Sequence, residues 1–121
     1  MKLKLNRENN CGAALVEFAL MIPVVMLLLI GALDLSIAQF YKSSLMFAAE
    51  SAARCRAING VVCATDEAAE VYAVSAITMP GITAGNFLIK AAPCGVQASV
   101  FFTYRSMILP NIPISGGVCY P

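Results

Sequence analysis

The stretch GAALVEFALMIPVVMLLLIGAL, residues 12–33, decides how the rest of the chain is read. From Ala13 to Leu33 run 21 residues whose single charge is Glu17. A helix over this run, at 1.5 Å per residue, reaches roughly 31 Å, against roughly 30 Å of bilayer hydrocarbon. Its twelve Leu, Ile, Val and Phe residues favour insertion by about 4 to 7 kcal/mol in all, whereas Glu17 costs about 3 kcal/mol at most. That charge also lies near one end of the run, where its cost is lowest. Pro23 would break a helix in water, but in lipid it is accommodated as a kink. The run therefore predicts one transmembrane helix over 13–33.

To its left, MKLKLNRENNCG carries Lys2, Lys4 and Arg7 against Glu8, and no further Lys or Arg occurs until Lys42. By the positive-inside tendency, residues 1–12 form a cytoplasmic leader and residues 34–121 an extracytoplasmic domain. To its right, DLSIAQFYKSSLMFAAESAARCRA contains no Gly or Pro, so the helix is expected to continue from Asp34, where lipid ends, to about Ala57. Leu35, Ala38, Tyr41 or Lys42, Leu45, Ala49 and Ala52 recur at three-and-four spacing and form a narrow, Ala-rich stripe for close packing.

Asn59-Gly60 signals a turn. Thr65-Asp66-Glu67 then supplies a capping hydroxyl and two carboxylates for a second helix, expected to reach about Met79 and to stop at Pro80-Gly81. Phe87–Ala92 and Val96–Tyr104 are rich in strand formers around Pro93-Cys94-Gly95, the pattern of an antiparallel hairpin. Ile114–Tyr120 is the candidate third strand, weakened by Gly116-Gly117. The expected class is α+β: a long N-terminal transmembrane helix continuing outside the membrane, a second short helix, and a small antiparallel sheet of two or three strands.

Composition narrows the function. Of 121 residues, 60% are hydrophobic and 12% charged, with Lys and Arg numbering 8 against 7 Asp and Glu. No basic field exists to neutralise nucleic-acid phosphates, so no nucleic-acid partner is expected. His is absent, which removes the usual general base and the commonest metal ligand. Asp66, Glu67, Glu70, Tyr104 and Arg105 form no nucleophile–base spacing, and read as surface, cap or strand-edge groups. No catalytic residue, cofactor or metal is expected.

Cys55, Cys63, Cys94 and Cys119 fall on the exported side, and only Cys11 precedes the span. An even set in a small exported domain reads as two disulfides. Cys55 with Cys63, closing the loop around Asn59-Gly60, and Cys94 with Cys119, tying the hairpin turn to the tail, is the preferred pairing; the two crossed pairings stay open, since spacing does not fix the Cα separation. Zinc is disfavoured, because the chain has neither a C-x-x-C pair nor a His.

The string Gly12-Ala13-Ala14-Leu15-Val16-Glu17-Phe18 places Gly five residues before Glu at the head of an apolar helix. This resembles a prepilin peptidase site of the type IV pilin superfamily. The wider string to about Ala57 is similar to the TadE-like family of the tight-adherence, Flp-type pilus systems. The resemblance implies cleavage after Gly12, with Ala13 as the new N-terminus and Glu17 as the fifth mature residue, its carboxylate pairing with the freed α-amino group of an adjacent subunit. It further implies a minor pilin or pseudopilin acting in pilus assembly or surface adhesion, since removal of residues 1–12 from 121 leaves 109, far more than a bare helix. The implied partners are prepilin peptidase, other pilin subunits, the pilus assembly platform and membrane lipid, with homo- or hetero-oligomers formed through the N-terminal helix in the inner membrane or the pilus. Two alternatives are an uncleaved, single-pass interaction domain of the envelope, and a secretory signal over residues 1–38 ending at the small residues Ser36-Ile37-Ala38.

Overall fold

The computed structural model describes residues 9–121, with side chains from residue 12 onward. Lys2, Lys4, Arg7 and Glu8 of the leader, and the side chain of Cys11, lie outside the described residues.

Helix α1 runs unbroken over Asn9–Ile58, 50 residues, through Pro23. At 1.5 Å per residue it is about 75 Å long. Its first half is exposed almost all round, and Gly12–Ile58 includes a stretch long and apolar enough to cross a membrane, none of it buried within the protein. Its second half carries the folded domain. Leu45, Ala48, Ala49, Ala52 and Ala53 are fully buried there, with Ala38 nearly so. The expected stripe is thus present but wider, because Ala48 and Ala53 join it. Leu35 does not belong to it: it is 54% exposed, although it shares its azimuth with buried Ala53 five turns further on. Of Tyr41 and Lys42, the structure turns Tyr41 inward and leaves Lys42 exposed.

Asn59 closes the turn after α1. Its side-chain oxygen accepts from the amides of Val61 at 3.2 Å and Val62 at 3.1 Å. Cys55 and Cys63 form a disulfide across this turn, Cα atoms 5.8 Å apart. Helix α2 spans Asp66–Ser75, with Thr65 as N-cap accepting from the Ala68 amide at 3.1 Å and Asp66 and Glu67 in its first turn. It ends four residues before the expected Met79. Ile77 and Met79 pack against the core instead; both precede Pro80, whose ring disfavours helical backbone at Met79, and Ile77-Thr78 are β-branched.

Strands β1 (Phe87–Ala92), β2 (Gly95–Tyr104) and β3 (Ile112–Tyr120) form one antiparallel sheet in the order β1-β2-β3. Ala92 pairs with Gly95, so Pro93-Cys94 is a two-residue turn, and Tyr104 pairs with Ile112 across the second connection. Gly95 has φ +123°, and a Cβ there would strike the Tyr120 carbonyl oxygen, so both backbone angle and close approach demand glycine. β3 starts two residues earlier than expected; Pro113 is accommodated because β3 is an edge strand. Gly116-Gly117 does not interrupt it, since a Cβ at Gly116 would meet the Met46 sulfur of α1. A second disulfide joins Cys94 to Cys119, Cα atoms 6.3 Å apart.

One face of the sheet, through Phe87, Ile89, Ala98, Val100 and Ile114, packs with Ala69 and Ala73 of α2 against the alanines of α1. α1 covers β2 and β3, while α2 covers β1. The core is small-residue rich, and the gain is proximity: alanine faces let a helix and a sheet approach without gaps. Glu70 of α2 accepts from the Ile89 amide at 3.3 Å, which occupies part of the otherwise open edge of β1.

Candidate functional site

Two places on α1 concentrate the polar chemistry that its apolar length makes conspicuous. The first is its head. Gly12 is helical and exposed, with no atom within 4 Å of where a Cβ would stand. Glu17, one and a half turns on, is exposed beside Ala14, Phe18, Leu20 and Met21. Among the described residues the only ion pair is Arg56–Asp66, at 2.8 Å, and none of them offers Glu17 a cationic partner. A carboxylate that is isolated in an apolar run is costly in lipid and is favoured by any cation brought beside it.

The outer side of the same helix carries a second pattern. Met26, Ile30, Leu33, Ile37, Phe40 and Phe47 are exposed and succeed one another at alternating four- and three-residue steps, with Ser44 in the gap. Phe40 and Phe47 stand two residues, or about 200°, round from Ala38 and Leu45, which face the domain. This is the spacing of a seam against which another helix packs.

Both features fall inside one recognised segment. Residues 12–54 match the TadE-like protein family. The TadE-like segment opens on Gly12, takes in Glu17 and the outer seam, and closes at Arg54, one residue before the first disulfide cysteine. Pilus components are the partners that this family implies, and the match points to a protein associated with the Tad pilus, in a family that is structural rather than enzymatic. No curated protein and no solved structure matches the chain.

The second polar place is Asp34, at the midpoint of the TadE-like segment, and its partners lie outside that segment. Asp34 is 2% exposed. Its carboxylate accepts from the Ser106 hydroxyl at 2.8 Å, from the amides of Met107 and Ile108 at 3.2 Å each, and from the Tyr104 hydroxyl at 3.3 Å. Ser106 in turn accepts from the Leu109 amide at 2.9 Å. The Ser106 hydroxyl, with the Ile108 and Met107 amides and the Tyr104 hydroxyl behind it, holds the carboxyl below its usual range against the opposing effect of burial. Burial, and then the bond to the Asp34 carboxylate, pushes the Tyr104 hydroxyl up. Tyr104 also lies 5.5 Å from the ring of Tyr41, which stacks on Phe102 at 5.6 Å. A charged residue read from sequence as the end of the lipid span is therefore also the clasp that fastens the β2–β3 loop to the helix. Nothing local in the sequence reveals it.

Among the described residues, no group of three or more His, Cys, Asp and Glu side chains is placed to hold a metal ion.

Proposed function

We propose that the chain is a minor pilin or pseudopilin of a Tad, Flp-type pilus, held in the inner membrane by residues 13–33 with residues 34–121 outside, and drawn from lipid into a helical assembly. The observation that carries this reading is the head of α1: Gly12 with nothing within 4 Å of where a Cβ would stand and Glu17 without a cationic partner among the described residues, at the start of the TadE-like segment. In this reading prepilin peptidase cuts between Gly12 and Ala13, and the new α-amino group of Ala13 in one subunit meets the Glu17 carboxylate of the next. A unit charge pair is worth about 1 kcal/mol in water at 4 Å and about 4 kcal/mol at an effective dielectric of 20, so the attraction sets register most strongly where water is excluded. The seam through Leu33, Phe40 and Phe47 gives neighbouring helices a surface to pack on once lipid is left behind.

One observation favours a second reading, the uncleaved anchored domain. α1 begins at Asn9, so the Gly12–Ala13 bond lies within helical backbone, whereas a protease needs it drawn out. The cost of drawing it out is small, because the first turn of a helix lacks half its hydrogen bonds and frays readily.

Mass spectrometry of the N-terminus of protein extracted from its native membranes separates the readings. Ala13 as first residue is expected. Met1 would establish the uncleaved anchor, and Gln39 the secretory signal.

A further inference from the structure

The β2–β3 connection is the one loop of the domain that reaches back along α1 to the level where its apolar run ends. Leu33 is the last residue of that run and Asp34 the next, and the Asp34 carboxylate holds the amides of Met107 and Ile108 within 3.2 Å. Backbone so bonded stands within about one helical turn, 5.4 Å, of Asp34 along the helix axis. The side chains attached to it are apolar and uncovered: Met107 is 87% exposed, Ile108 48% and Leu109 38%. Leu35, also exposed, lines a shallow groove with Ile112 and Pro113 at the same end of the sheet. Arg105, exposed and without an acidic partner among the described residues, adjoins the apolar tip.

We infer that the Met107-Ile108-Leu109 tip is a second membrane contact, lying in the headgroup and upper acyl region beside the transmembrane helix on the side of the bilayer that faces the domain. The inference rests on reading 13–33 as a membrane span. Three features commit the tip to lipid rather than to a protein. Its height is set by a buried clasp to the first residue beyond the span. Its size, three side chains, falls far short of the roughly 800 Å² per partner that a specific protein interface buries. Its make-up, apolar side chains beside a free Arg, suits an interface in which apolar groups sink about 5 to 10 Å and a cation meets lipid phosphate. The clasp serves the same end. An Asp at the edge of the hydrocarbon carries a desolvation cost unless its lone pairs are filled, and here the loop that would enter lipid fills them.

The chain contains no Trp, so single-tryptophan variants report local depth without background. Full-length Met107→Trp, Val61→Trp and Leu28→Trp proteins are reconstituted in vesicles of phosphatidylethanolamine and phosphatidylglycerol whose chains are brominated either near the headgroup or near the terminus. Val61 is 90% exposed at the opposite end of the domain and controls for the affinity of Trp itself for interfaces. The expected result is quenching of the Met107→Trp emission by the shallow bromines, several-fold above that of Val61→Trp, with Leu28→Trp quenched by the deep ones. If Met107→Trp matches Val61→Trp in its response to aqueous acrylamide and bromine while Leu28→Trp is lipid-quenched, the span stands and the second contact is wrong. If Leu28→Trp meets no bromine, the span reading fails and takes this proposal with it.

Discussion

Removing the two disulfides one at a time should cost unequal amounts, in an order fixed by the length of chain each one closes. Cys55 and Cys63 are 8 residues apart, Cys94 and Cys119 25 residues apart. The loop-entropy relation gives about 2.5 kcal/mol for the shorter closure and about 3.5 kcal/mol for the longer one at 25 °C. The longer bridge also ties the β1–β2 turn to the end of β3, beside the Val96–Tyr120 pair. The Cys94→Ser/Cys119→Ser protein should therefore be the less stable of the two double variants by about 1 kcal/mol, or about fivefold in the folding constant. Urea titration of the full-length chain in detergent micelles, followed by near-ultraviolet circular dichroism of the Tyr41–Phe102–Tyr104 cluster, measures both losses. A larger loss for Cys55→Ser/Cys63→Ser would refute the argument from loop length and shift the weight to the docking of α2, which that shorter bridge anchors at the end of α1.

Two further outcomes follow from the polar groups on α1. Glu17→Ala should leave membrane insertion intact, since it removes at most about 3 kcal/mol of opposition to it, while lowering recovery of the subunit in sheared pilus fractions; equal recovery would take from Glu17 its role in assembly. Asp34→Asn should free the loop, because an amide nitrogen then faces donors where a carboxylate oxygen faced them: the Met107 and Ile108 amides should exchange with solvent faster by NMR, with the sheet itself unchanged. Acid should do the same to the native chain. The Asp34 carboxyl is held below its ordinary range, so its contribution is complete above that range and is lost only as pH falls through the lower folded-state value. Loop release that instead tracked an ordinary carboxylate would count against the clasp.

Much of the architecture was legible because it is written locally. The limits of β1, the end of β2 and the Thr65 cap each follow from residues adjacent in sequence, while Gly95, expected in the turn, opens β2. The preferred disulfide pairing is the one formed, although spacing alone left the two crossed pairings open. Three things were not legible. The end of α2 depended on Ile77 and Met79 having a core to enter, which is a tertiary fact overriding helical propensity. Leu35 fits the three-and-four pattern, yet it stands at the membrane end of the packed stretch, where the groove beside Ile112 and Pro113 leaves it open. Asp34 meets partners 70 to 74 residues away, and no period or motif connects a lone Asp after an apolar run to a Ser in a distant loop. The head of the helix differs again. Gly12 and Glu17 stand out in sequence, but among the described residues little surrounds them, and the purpose proposed for them lies in a neighbouring subunit.

The unbroken course of α1 makes it a drive shaft as well as an anchor. Helical backbone runs on from its bare half into the half that bears the sheet, and each residue along a helix turns the next by about 100°. Sliding the bare half by a single residue in its seat therefore swings the whole domain through more than a quarter of a circle. Whatever seats the first five turns of this chain also chooses the compass bearing on which its outer surface is shown.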